Sequence, residues 1–92
     1  MTLVKLKQSL HLDDNDFNDM YLNSLMNSAE SSLLPTIGYN NIVRIEDQSK
    51  FNMLKDTFVV EYVRGLYFHV DNQKILDALQ MQMQSLIEEG DQ

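Results

Sequence analysis

The chain has 92 residues, seven Lys or Arg against fourteen Asp or Glu, a formal net charge of −7, one Pro and no Cys. A chain of this size buries about two-thirds of the surface its unfolded form exposes, enough for one domain with a modest core and no metal or disulfide staple. The acid excess opposes sequence-specific DNA binding, which draws its affinity from Lys and Arg, and no run approaches the ~18–20 apolar residues of a membrane span.

Thr2 stands before Leu3, Leu6 and Leu10, an apolar series at helical spacing that predicts a short opening helix with Thr2 as N-cap. A second helix is expected to start in the run Asp13, Asp14, Asn15, Asp16, whose side chains suit the free N–H groups and positive dipole of a first turn. It extends to about Leu33, with Phe17, Tyr21, Leu25, Ala29 and Leu33 on one stripe and Met20, Leu22 and Met26 widening it. Pro35 and Gly38 end it.

Residues 36–48 read as a long irregular or β-like connection centred on Ile42, Val43, Arg44 and Ile45. No second strand is evident in the chain to pair with it, so a partner chain is the expected source of that pairing. Connections of this length in small domains often carry function.

A third helix is predicted from Gln48 or Ser49 to about His69. Phe51, Leu54, Phe58, Tyr62 and Leu66 form one apolar ridge, and Val59, Val63 and Tyr67 a second. Two ridges imply either a central helix or one shared between its own core and a neighbouring subunit. Gly65 costs ~1 kcal/mol relative to Ala in such a helix unless a close backbone contact offsets it. Asp71 or Asn72 caps a fourth helix with the stripe Ile75, Leu76, Leu79, Met83, Leu86 and Ile87, and residues 88–92 form an acidic tail. The fold class is therefore all-α, a single bundle of about four helices.

Chemistry is sparsely represented. The acidic run resembles a calcium loop only in part: counted from Asp14, the sixth position holds Asp19 instead of Gly and the twelfth Leu25 instead of Glu. Helix capping accounts for it better. Neither His11 nor His69 has a second ligand at i, i+4, and His69 suits a helix C-terminus. No G-x-S-x-G element, cysteine nucleophile or Gly-rich phosphate loop is present. Paired carboxylates such as Glu88 and Glu89 sit at helix ends without an apolar pocket. The reading is a non-enzyme without cofactor or metal. Met20, Met26, Met53 and Met83 fall on or beside helical stripes and are expected in the core, whereas Met81 lies off its stripe and is a candidate partner contact.

The opening stretch MTLVKLKQSLHLDDNDFNDMYLNSLMNSAESSL combines a short helix, a Leu-x-Leu-Asp step, an acidic cap and a long amphipathic helix containing Ala-Glu. It resembles the small head–tail connector (head-completion adaptor) proteins of long-tailed bacteriophages, encoded near the portal and capsid genes. The segment TFVVEYVRGLYFHVDN and the closing amphipathic helix are similar to the rest of that family. The resemblance implies a virion protein of the head–tail junction, made in the bacterial host cytoplasm. Roughly a dozen copies form a ring under the portal protein, closed by head-to-tail contacts. Its partners are further copies of itself, the portal protein and the next head-completion or tail protein, with DNA passing through a channel whose acidic surface repels phosphate.

On that reading Tyr39, Ile42, Val43, Arg44 and Ile45 from the connection, and Val59, Val63 and Tyr67 from the second ridge, are the expected subunit interface. Met81, Leu86 and Ile87 are the expected partner-docking residues. The competing expectation is a small acidic phage regulator that mimics DNA or binds a host protein. The clustering of acids at helix ends, instead of in one continuous stripe, favours the connector.

Overall fold

Four helices run through the described part of the chain: α1 (Leu3–Ser9), α2 (Asp19–Ser32), α3 (Gln48–Tyr67) and α4 (Gln73–Leu86). The computed structural model describes residues 1–13, 15, 17–33, 44–45 and 47–88. The chain is all-α, as its periodicities predict. Two helix starts follow the capping rule: Thr2 Oγ1 accepts from the Lys5 N–H at 3.2 Å, and Asp47 Oδ1 accepts from the Lys50 N–H at 3.0 Å.

The start of α2 departs from expectation. The helix begins at Asp19 after Asn18, so the acidic run Asp13–Asp16 precedes the helix and does not cap it. Lys7 explains the shift. Its side chain is nine-tenths buried, and its ammonium donates to the Asn15 carbonyl and pairs with the Asp19 carboxylate. Asn15 Oδ1 in turn accepts from the Phe17 N–H at 3.1 Å, a local turn that competes with helix. Asp19 Oδ1 is buried with no other partner, so the pairing satisfies an oxygen that burial alone would penalise.

Both histidines stop helices. Among the described residues, His11 and His69 are the non-glycine positions with left-handed backbone, at φ 58° and 57°. Each follows a helix C-cap, Leu10 or Phe68. The chain then wraps back: the Leu12 N–H donates to the Lys7 carbonyl at 2.9 Å and the His11 N–H to Gln8 at 3.2 Å, while the Val70 N–H reaches the Gly65 carbonyl at 3.0 Å. These are the bonds of a Schellman closure, here made without glycine at the left-handed position.

Gly65 has the offset its place in a helix requires. A Cβ there would lie 2.5 Å from Asn72 Oδ1 and 3.2 Å from the Val70 carbonyl oxygen. Asn72 is buried against this turn and donates through Nδ2 to the Glu61 carbonyl at 2.6 Å. The missing side chain lets the α3–α4 connection fold tightly onto the end of α3.

The core forms two layers on different sides of α3. On one side Val59 and Val63 pack with Leu6 and Leu10 of the α1 region and with Leu22, Leu25, Met26 and Ala29 of α2. On the other, Phe51, Leu54 and Phe58 pack with Leu33 and with Leu76, Leu79, Met83 and Leu86. Tyr62 borders both. The two ridges read from the sequence are thus internal from Phe51 to Val63, while Leu66, expected on the first, is 46% exposed and Tyr67 is only part-buried; α3 is the central helix of the fold.

α4 ends one residue earlier than its stripe implies. Ile87 is extended at φ −87°, ψ 118°. Ile87–Glu88 (β2) pairs antiparallel with Arg44–Ile45 (β1), Ile45 opposite Ile87 and Arg44 opposite Glu88. This two-residue ladder corrects the expectation that the β-branched connection has no partner within its own chain. The rest of that connection, and the tail beyond Glu88, lie outside the described residues.

Candidate assembly surfaces

The expected interface residues separate in the structure. Val59 and Val63 are 1% and 0% exposed in the layer against α1 and α2, so the reading of these two as a face for a neighbouring subunit is corrected. Their ridge is satisfied by α2, the amphipathic helix that precedes it. Tyr67 is part-buried at the margin of the same layer. Tyr39, Ile42 and Val43 lie outside the described residues, and Arg44 and Ile45 are placed by their backbone in β1. Of the docking trio, Met81 is 69% exposed, Leu86 is buried in the second layer and Ile87 turns into β2 beside it. Only Met81 offers a free apolar surface; Leu86 is corrected to core.

Two surfaces emerge instead, and they carry Phe17, Met20 and Tyr21, which the sequence reading placed on the apolar stripe of α2. The first is the outward face of α2, lined by Met20, Asn23, Ser24, Asn27, Ser28 and Ser31. Successive residues turn by 100° around a helix. With Leu22, Leu25, Met26 and Ala29 facing inward, Met20 points away from the core, and it is exposed to 88%. The face carries no charged residue. Placing the helix start at Asp13–Asp16 hid this, because it put Met20 beside a stripe running through Phe17.

The second surface is aromatic and lies where the start of α2 meets the end of α3. The Tyr21 and Tyr67 rings are 6.1 Å apart, and Phe68 stands edge-on to Tyr67 at 4.9 Å. The Asn18 side-chain amide donates to Tyr67 Oη at 2.7 Å and fixes that ring. Phe17, 87% exposed, lines a concavity of about 210 Å³ with Tyr67, Asn18, Lys7 and Asp13. Lys7 is turned inward to Asp19 and adds no positive charge to the outer rim.

Met53, also expected in the core, is 62% exposed on α3, whereas Met26 and Met83 are buried as expected. Among the described residues no three His, Asp or Glu side chains converge on a point that holds a metal ion, and no helix is long and apolar enough to cross a membrane. Comparison with protein-family models, with curated proteins and with solved structures returns no match.

Proposed function

We propose that this chain is a structural subunit of a phage head–tail connector, assembling as a ring of roughly a dozen copies under the portal to extend the DNA channel and join head to tail. The resemblance of the opening 33 residues suggests the role, and the uncharged outer face of α2 is the observation that carries it. Copies of a subunit with net charge −7 repel one another unless their contacts avoid the charge. A helix face of Ser, Asn and one Met meets that condition. Its short side chains lose little rotamer freedom on contact compared with the Lys and Glu usual on a surface helix, and they hydrogen-bond across an interface. The contact surface of the ring is therefore the outer face of α2 instead of Val59 and Val63. The remaining carboxylates stay solvated and repel passing phosphate without sequence preference.

The test is the solution mass by light scattering, alone and after mixing with the portal protein of the same phage genome. A ring-sized mass, or co-migration with portal, supports the reading. The double variant Ser24→Glu, Ser28→Glu is expected to abolish that species while leaving the helical circular dichroism intact. A persistent monomer that ignores portal overturns the proposal.

A further inference from the structure

We infer that the aromatic end of the molecule, Phe17, Tyr21, Tyr67 and Phe68, is a docking site for a segment of another protein that combines Lys or Arg with an apolar anchor. The inference is independent of the ring reading, since it uses a different surface and needs no second copy of the chain.

The argument begins with exposure. Tyr21, 50% exposed, and Phe68, 44% exposed, are held in one array with Tyr67, and Phe17, 87% exposed, lines the concavity beside it. Aromatic surface of this kind, partly rigid and beside a concavity, is what anchors protein contacts. The array is also preorganised: Tyr67 is fixed by the Asn18 amide, and the loop carrying Phe17 is fastened by Lys7. A partner therefore meets an ordered Tyr67 and spends little free energy in arranging that ring.

Charge selects the partner. The two segments that build the site carry negative charge almost alone. Residues 13–19 contain four Asp and no Lys or Arg, and residues 66–73 contain Asp71 and no Lys or Arg. Asp13 is exposed and lines the same concavity as Phe17 and Tyr67. The ammonium of Lys7, which lines the same concavity, is buried in its pairing with Asp19. His69 is the only side chain of the second segment able to carry positive charge. Aromatic faces beside an exposed carboxylate, here Asp13, attract cations twice over, through the ring quadrupole and through the carboxylate. Two copies meeting patch to patch bring like charges together, so a second copy is disfavoured as occupant.

The experiment uses the full chain and a labelled amphipathic helical peptide of Lys and Leu, followed by fluorescence anisotropy. Two control peptides replace every Lys by Glu or every Leu by Ser. The Lys–Leu peptide is expected to bind, with amide shifts in NMR spectra centred on residues 17–21 and 66–69, and both controls to bind at least roughly tenfold more weakly. Phe17→Ser, which removes a ring already in solvent and leaves the core untouched, is expected to weaken binding by roughly tenfold, the loss typical of one aromatic anchor. Asp13→Asn is expected to weaken it less and to flatten its salt dependence. Met53→Ser, about 20 Å along α3 from Tyr67 at 1.5 Å per residue, is expected to change nothing. Equal binding by the Phe17→Ser variant, equal binding of the Glu–Leu peptide, or no binding of the Lys–Leu peptide overturns the inference. Loss of self-association in Phe17→Ser with peptide binding unchanged would identify a second copy as the occupant and overturn it as well.

Discussion

The two layers packed on α3 are built from the same number of buried side chains but from different materials. The layer under α4 takes two phenylalanine rings, Phe51 and Phe58, into its interior. The layer under α1 and α2 is aliphatic throughout, and its aromatic neighbours Tyr21 and Tyr67 stay at the margin with Phe17 and Phe68 beyond them. Where rings are buried they contribute burial and nothing else. Where they are left at the edge, the fold gives up some stability and acquires a surface able to hold another molecule. The aliphatic layer is also where the buried ion pair of Lys7 and Asp19 is found. One end of the bundle is thus largely a core, and the other a core with a working edge.

Three sets of substitutions test that comparison. Phe58→Ala has the largest expected effect, a loss of about 3–5 kcal/mol from the lost burial and the cavity left behind. Urea unfolding of this variant measures it and adds a second result. If α3 couples the layers into one unit, far-ultraviolet dichroism and the resolved NMR ring signals of Tyr21 and Tyr67 will fall together. Separate transitions would show that each layer melts alone.

Gly65→Ala comes next. Helix propensity alone favours Ala here by ~1 kcal/mol, but the new methyl collides with Asn72 and with the Val70 carbonyl, and overpacking of this kind costs about 1–3 kcal/mol. A net loss of stability is expected, partly restored when Asn72→Ala is added, because the two changes share one contact. A gain in stability for the single variant would contradict the close packing of the α3–α4 connection.

The smallest effect belongs to the two helix stops. A left-handed backbone costs an L-residue about 1–2 kcal/mol, and glycine gives part of this back through its freer unfolded chain. His11→Gly and His69→Gly are each expected to raise stability by up to about 1 kcal/mol in thermal melts. A fall in either would mean that the imidazole itself makes a contact that matters. His69, beside Phe68, is the more informative of the two.

Helix number and order were legible because period 3.6 survives in every long element, and the cap at Thr2 follows from residue type alone; the core was legible in part, since Tyr21, Leu66 and Ile75 share those stripes and are about half exposed. The start of α2 was not, because the deciding group is Lys7, a residue in another helix whose ammonium captures the loop at a distance no local pattern records. That one displacement changed the meaning of Met20 and Phe17 from core to surface. Val59 and Val63 were misassigned for a related reason. A helix with two apolar sides reads the same whether its second neighbour is another chain or an earlier segment of its own, and only tertiary contact with α2 decides. The pairing of Ile87 with Ile45 was hidden because two residues carry no periodicity at all.

The placement of both layers on one helix also has a consequence for how this gene can change length. Within α3 the positions facing α4 (Phe51, Leu54, Phe58) and those facing α2 (Val59, Val63) follow one another along a single uninterrupted turn sequence. Inserting or deleting one codon between them rotates everything downstream by about 100° relative to everything upstream. No compensating slide can restore both sides together. The reading frame of α3 is in this sense locked in phase.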